Sequence, residues 1–322
     1  MCGPWVALLG FAPVPQRSLV IANPASAAGS TRRTLRRLEP RLREAIGEYE
    51  LAWTEGPRDA ERIAREAVRA GVERLIVAGG DGTAAEVVSG VLGASLGNYA
   101  EVAFLPLGTG ADFHRTLDIP RDPLLAIEAL ASGKGRRIDA GRVRFVSEAG
   151  GERETYFVNV ASAGLSGVVT RSVNGTSKAL GARLAFLIGT LVGLARFRPS
   201  RVRARLDGAE LFAGEIALIA AANGRYFGGG MQIAPGARPD DGLLDVIIIP
   251  ALPKHVLVRR LPGLYSGAHL SVPGVSLHRG RRLELEPDGP PALGEIDGES
   301  IARLPMTIEV LPGALQVWGA GA

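Results

Sequence analysis

Apolar positions in the first third of the chain fall into short unbroken runs, and between them apolar residues recur every three to four positions. Ser18–Ala22 (SLVIA) is one such run, and it ends at Asn23-Pro24, a signature of a strand passing into a loop. From about Thr31 to Glu48, Leu35, Leu38, Leu42, Ala45 and Ile46 share one helical face. Pro40 lies inside that pattern and is expected to kink or break the helix. Tyr49–Trp53 predicts a second strand. Asp59 is then expected to cap a helix carrying Ile63, Ala64, Ala67 and Val68, which stops at Gly71. Arg74–Ala78 predicts a buried strand opening into Gly79-Gly80-Asp81-Gly82-Thr83. A helix over about Ala84–Leu92, a strand over Val102–Leu105 and a second loop over Pro106–Asp112 follow. Short apolar strands alternating with helices predict a parallel sheet.

Beyond Arg142 the rhythm changes. Strand-like stretches recur at 142–147, 155–160, 201–207, 211–222, 243–249, 282–286 and 306–311, and only 178–197 and about 253–267 read as helical. The expected fold class is α/β: an N-terminal parallel-sheet nucleotide-binding domain over 17–141 and a mostly antiparallel β-sandwich domain over 142–311. The tail at 312–322 is expected to return to the first domain. No long linker separates the two, so they should abut and form an active-site cleft.

Composition narrows the chemistry. A single cysteine, Cys2, rules out an internal disulfide and a cysteine-built zinc site, and four scattered histidines make a histidine-built one a poor expectation. A net charge of +4, carried mostly by arginine, suits phosphate-bearing partners: ATP or an anionic membrane. Nucleic acid is not expected, because the basic residues are dispersed and only 5% of residues are aromatic. The apolar stretch 5–14 has neither a charged segment before it nor a small-residue cleavage site after it, so it does not read as a signal peptide. The run 179–197 contains Arg183 and Arg196 and falls short of the ~20 clean apolar residues of a membrane span. A cytoplasmic protein with peripheral membrane contact is the expectation.

The strongest local signal is Gly79–Thr83 between a buried strand and a helix. Glycines let backbone N–H groups approach an anion, and the helix that follows adds partial positive charge. Asp81 stands where a carboxylate could hold a magnesium-bound phosphate, and Thr83 could donate a hydroxyl hydrogen bond. Leu107-Gly108-Thr109-Gly110-Ala111-Asp112 has the same strand–loop–helix build, and two such loops at the carboxyl ends of one sheet converge on one crevice. Read alone, Asp240-Asp241-Gly242 and Asp297-Gly298 are ordinary turns. His114 reads as a helix-surface residue, and Arg32, Arg33, Arg36 and Arg37 as a solvated helix face.

Taken together, these strings resemble the diacylglycerol kinase catalytic family, which includes bacterial soluble lipid kinases, sphingosine kinases and ceramide kinases. The resemblance runs from about Ser18 to Val317. It rests on Asn23-Pro24, Thr54, GGDGT with Glu86-Val87-Val88, PLGTGADF at 106–113, Gly228-Gly229-Gly230-Met231 with Ala234-Pro235, Asp240–Asp245, and Asp297-Gly298-Glu299. It implies ATP bound by Asn23, Thr54, Gly79, Gly80, Asp81, Gly82, Thr83, Glu86, Thr109 and Asp112. It implies Mg²⁺ bridging ATP oxygens near Asp81 or Asp112, and a structural Mg²⁺ held by Asp241 with the carbonyls of Arg238 and Leu243. Glu299 matches the general base, with Asp297 beside it and Asp81 completing the catalytic set. The implied partners are ATP and a lipid at the membrane surface, and a homodimer is compatible with the resemblance.

Ala85 and Ala111 stand where many relatives have asparagine, so two amide side chains are missing from the nucleotide loops. The lysine that some bacterial members carry after Asn-Pro is absent too, with Arg32 or Arg33 as its substitute. Diacylglycerol or a close relative is the first acceptor expected, and a sphingoid base or ceramide is the alternative. The NAD kinase branch shares GGDGT but not the later strings. A lipid-binding regulator without catalysis is the alternative from another class.

Overall fold

The computed structural model describes residues 17–94, 100–108, 110, 112–147, 149–174 and 182–320, with backbone alone at 174 and 182–188. Cys2 and the apolar stretch 5–14 lie outside the described residues.

The first part alternates β1 (Ser18–Ala22), α1 (Thr31–Ile46), β2 (Glu50–Trp53), α2 (Asp59–Arg69), β3 (Arg74–Gly79), α3 (Asp81–Ala94) and β4 (Glu101–Pro106). β1 pairs in parallel with β2 and β3, and β3 in parallel with β4. Every residue of β1 is buried, as are all of β3 and β4 except their first residues, because helices cover both faces of these strands.

Pro40 neither breaks nor ends its helix: α1 runs unbroken through it. The proline sits on the exposed face, so the carbonyl it strands is left to water. Leu35, Leu38 and Leu42 on the opposite face are buried in the core on either side of it. Asp59 is the first residue of α2 rather than its cap, and its carboxylate accepts the Glu55 N–H at 2.8 Å.

Two short helices follow, α4 (Asp112–Thr116) and α5 (Pro123–Ala131), the latter capped by Asp122, which accepts the Leu124 N–H at 2.8 Å. The β-rich part then comprises β5 (Gly135–Ser147), β6 (Glu152–Phe157), β7 (Val160–Gly164), β8 (Ser200–Leu206), β9 (Ala209–Ala222), β10 (Tyr226–Phe227), β11 (Met231–Gln232), β12 (Leu244–Pro250), β13 (Ser276–Gly280), β14 (Arg282–Pro287), β15 (Leu293–Ile296) and β16 (Glu299–Trp318). The helices α6 (Leu165–Asn174) and α7 (Ala182–Arg196) lie between β7 and β8. Between β12 and β13 come α8 (Lys254–Arg260) and two 3-10 turns, Leu261–Tyr265 and Ala268–Ser271.

β16 joins the two parts. It runs antiparallel to β5 along most of its length, and its last residues, Gln316–Trp318, pair in parallel with β4. Its register shifts fall at Arg303/Met306 and Leu311/Leu315, next to Pro305 and Pro312, where a missing N–H costs no ladder bond. Among the described residues no helix is long and apolar enough to cross a membrane.

Candidate active site

The two glycine loops touch backbone to backbone. A Cβ on Gly108 would overlap the Gly80 main chain, and one on Gly110 would overlap the Asp81 carboxylate. The Leu107 N–H donates to the Gly79 carbonyl at 3.1 Å. Asp81 completes the tie by accepting the Asp112 N–H at 3.1 Å and the Phe113 N–H at 3.3 Å, which satisfies the free amides opening α4. Gly80 and Gly82 remain accessible at the start of the 14-residue helix α3 and present amide donors to an anion.

Asn23 lies just past β1, where its Nδ2 donates to the Thr83 hydroxyl at 3.1 Å and its Oδ1 accepts the Ala25 N–H at 2.9 Å. Thr54 follows β2, is buried, and donates its N–H to the Ala22 carbonyl at 2.9 Å. Asn23, Thr54 and Gly79–Thr83 therefore gather at the carboxyl ends of β1, β2 and β3, the usual place for a ligand in such a sheet. Glu86 is placed differently: it accepts the Ala60 N–H at 3.1 Å and steadies the start of α2. Thr109 and Ala111 lie outside the described residues.

Four carboxyl groups line one end of a cavity of about 310 Å³, Asp81 and Asp112 from the loops and Glu295 and Asp297 from the β-rich part. Asp112 accepts the Gly229 N–H and the Arg115 guanidinium, each at 2.7 Å. Burial pushes its pKa up, and the charge of Asp81 pushes it further. Asp297, held at φ 43°, accepts three main-chain N–H groups, from Val158, Asn159 and Val160, at 2.8, 3.0 and 2.9 Å. Burial outweighs those donors and raises it to about 6. Glu295 accepts Ser162 Oγ at 2.6 Å and the Gly298 N–H at 2.5 Å, with Ser166 2.8 Å beyond Ser162, and burial raises it to about 7. Asp81 is raised by burial as well.

The rest of the cavity is mostly apolar, with Val169, Leu194, Leu218, Met231, Leu264 and Val272 among its walls. One end is thus anionic and hydrogen-bonding, and the other suits hydrocarbon.

Glu299 does not join this group. Asp297 and Gly298 both have positive φ (43° and 89°), and the turn separates the two acidic side chains. The Glu299 carboxyl is raised by burial and then by Glu86, with Arg58 opposing, so it lies on the α2–α3 side and does not line the cavity. His114 is a correction: it is buried rather than on a helix surface, because α4 packs between the nucleotide loops and the β-rich part. Burial lowers it to about 4, so it is neutral at physiological pH.

Glu295, Ser162 and Ser166 were not singled out by sequence reasoning. The available signal is one acidic residue inside the short run Leu293–Ile296, beside the Asp-Gly turn.

Among the described residues, no three acidic, histidine or cysteine side chains stand close enough to hold a metal by themselves. Magnesium commonly takes one or two carboxylates and completes its shell from phosphate and water, and Asp81 and Asp112 keep spare lone pairs for that. The other proposed site fits less well. Asp241 accepts its own Leu243 N–H at 3.1 Å and a very close contact from the Arg279 guanidinium, whose Nε also reaches Asp245 at 3.1 Å. Arg279 already supplies the positive charge that a cation would bring to Asp241. Arg279→Ala should therefore lower the melting temperature, and millimolar Mg²⁺ should restore part of the loss in the variant while leaving the wild type unchanged. If magnesium shifts neither protein, Asp241 is not a metal ligand.

Comparison with known proteins places this arrangement. The diacylglycerol kinase catalytic domain model matches residues 17–143, and the YegS C-terminal NAD kinase beta sandwich-like domain model matches residues 159–319. The chain belongs to the diacylglycerol kinase catalytic family. A diacylglycerol kinase of Mycobacterium tuberculosis H37Rv is 33% identical over 260 residues, covering 80% of this chain and 81% of that protein. A YegS-like lipid kinase of Pseudomonas aeruginosa is 37% identical over 274 residues, covering 83% and 82%. By family, this member is a lipid kinase. A solved diacylglycerol kinase from Bacillus anthracis shares the fold, with a TM-score of 0.71 at 21% identity over 94% of this chain and 96% of that one. Yeast NADH kinase in complex with NADH shares it more distantly, with a TM-score of 0.51 at 12% identity over 95% and 83%.

Proposed function

We propose that this protein moves the γ-phosphate of ATP, with Mg²⁺, onto the hydroxyl of diacylglycerol or a closely related membrane lipid. The observation that carries the reading is the cavity itself: hydrocarbon walls at one end, four carboxyls at the other, of which Asp112 and Glu295 are buried, and two glycine loops against the carboxyl end. In this reading residues 17–141 bind the nucleotide and residues 142–311 bind the acceptor, with the end of β16 returning to the first part.

Amides at Gly80–Gly82 and the start of α3 hold the phosphates, and Asn23 positions Thr83 beside them. When bound, Mg²⁺ would neutralise charge developing on the transferring phosphoryl group, with Asp81 and Asp112 as its protein ligands. The acyl chain fills the apolar end and leaves the hydroxyl at the carboxyls. As the γ-phosphorus bonds to that oxygen, its bond to the β–γ bridging oxygen breaks, ADP leaves, and the hydroxyl proton passes to a carboxylate. The resemblance assigns that proton to Glu299. The geometry favours Asp297, which lines the cavity and, at about 6, is ionised at neutral pH yet basic enough to accept a proton.

The test is transfer of label from γ-labelled ATP with Mg²⁺ to a panel of diacylglycerol, monoacylglycerol, sphingosine, ceramide and NAD in mixed micelles. Label in a diacylglycerol or monoacylglycerol product is expected. Label on sphingosine or ceramide would shift the acceptor, and label on NAD would overturn the lipid assignment. ATP binding without any product would favour a non-catalytic lipid binder and point to Ala85 and Ala111.

A further inference from the structure

Acidic residues are absent from two long stretches of the chain. Residues 155–206 and 246–283 contain no Asp or Glu, although the chain has 33, and they hold 14 of its 37 Lys and Arg. The first stretch supplies α6 and α7, and the second supplies α8 and both 3-10 turns. The acid-free segments thus include the helices that wall the apolar end of the cavity, along with strands β7, β8, β12 and β13, and of these β8 and β13 carry Arg201, Arg203, Arg205 and Arg279.

Those helices are also where large apolar side chains face water. Eight large hydrophobics among the described residues are exposed, and four of them belong to this helical cap: Leu191 and Val192 on α7, Val258 on α8 and Tyr265 on the turn after it. Each alternates with cavity-lining neighbours. Thr190 and Leu194 line the cavity while Leu191 and Val192 face out, and Leu257 and Leu261 line it while Val258 and Arg259 face out. Arg260 both lines the cavity and is exposed, so the cavity reaches the surface at α8. The Lys254 ammonium donates to the Ala195 carbonyl at 2.6 Å and fixes α8 against the end of α7.

We infer that the outer face of α7, α8 and the Leu261–Tyr265 turn docks on an anionic bilayer, so that the acceptor slides from the membrane into the cavity beneath. The inference rests on the lipid-acceptor reading above. Exposed apolar side chains beside exposed cations such as Arg259 and Arg260, on segments that hold no acidic residue, are what a bilayer interface selects, because hydrocarbon burial and attraction to anionic headgroups act on the same face. A protein partner of ordinary composition would ask for mixed charge, which this face does not offer.

The experiment uses the full chain and vesicles of phosphatidylcholine, alone or mixed with phosphatidylglycerol. The wild type should co-sediment with the mixed vesicles, more weakly at high salt, and not with phosphatidylcholine alone. Val258→Glu with Arg259→Glu, and separately Leu191→Glu, should reduce that binding by about tenfold or more, since each places negative charge against an anionic surface. Arg36→Glu with Arg37→Glu, on the exposed face of α1, should leave it within about twofold, because that helix lies outside the cap. None of these residues lines the cavity, so turnover of dispersed dioctanoylglycerol should be retained in all variants, with unchanged melting curves. Undiminished vesicle binding by the cap variants, or loss only in the α1 variant, would overturn the inference. So would a wild type that binds neither vesicle. A wild type that binds vesicles through the cap but never phosphorylates dioctanoylglycerol would leave the docking face standing and remove diacylglycerol as the acceptor.

Discussion

Asp297→Asn should lower kcat by roughly 10²–10⁴-fold, the usual loss when a positioned proton acceptor is removed, with little change in stability at neutral pH. The stability half of the expectation follows from two opposing costs. Asparagine keeps one oxygen for the Asn159 and Val160 amides but turns its NH₂ toward the Val158 N–H, and a buried donor without a partner costs ~1–3 kcal/mol. Against that, wild-type Asp297 is ionised at pH 7 although burial holds it at about 6 rather than the usual 3.8, a difference worth ~3 kcal/mol by linkage. The neutral amide is spared that cost, so the terms nearly cancel. Activity should then fall by that factor in a protein that still folds.

The pH profile adds a second readout. With Asp297 as acceptor, kcat should rise as pH increases through about 6 and level off above it. Glu299→Gln, on the α2–α3 side with Glu86 and Arg58, should cost less than about tenfold, below the loss expected of an acid–base residue. If Glu299→Gln loses several hundredfold while Asp297→Asn stays active, the base is Glu299, as the resemblance implies.

How much of this was legible in the sequence depended on how local each signal was. SLVIA, RLIVA and the apolar run at 102–105 announce β1, β3 and β4 because strands covered on both faces tolerate little else. The glycine loops were visible as well, though only the structure explains them: Gly108 is small because Gly80 lies against it. β5 begins at Gly135 rather than near 142, since its first residues are polar and earn their strand only by pairing with Gln316–Trp318 far along the chain. Arg279 pairs with Asp241 and Asp245 because β13 lies across from β12, with Arg279 opposite Asp245, a register that no local pattern reveals. The Asp-Gly turn at 297–298 was legible as a turn. That it would send Asp297 to the cavity and Glu299 away depends on positive φ at both turn residues. Glu295 needed the whole fold, because an acidic residue in a short apolar strand looks solvent-facing until both faces are seen to be covered.

Glu295→Gln should change how stability depends on pH. In the wild type the buried carboxyl titrates at about 7 instead of 4.5, so the folded protein holds a proton that the unfolded chain has released. Its stabilisation is therefore fully present below pH 4.5 and is lost as pH rises through 7, for a total of ~3 kcal/mol. Glutamine carries no proton to lose. Its carbonyl can still accept the Gly298 N–H, and its NH₂ can donate to Ser162, whose hydroxyl can turn to Ser166. Relative to the wild type, the variant should thus gain melting temperature steadily from pH 5 to pH 8, by roughly 5 °C at the upper end. Other groups titrate in the same range: Asp297 in the same sense as Glu295, and His114 oppositely, since a buried neutral imidazole costs stability as pH falls from 6.5 toward 4. Both are common to the two proteins, so the difference between variant and wild type isolates Glu295. A difference that stayed flat across that range would mean Glu295 is already ionised in the folded protein at pH 5. The anionic end of the cavity would then carry a full negative charge from Glu295 at neutral pH, where a carboxyl titrating at about 7 carries only about half of one.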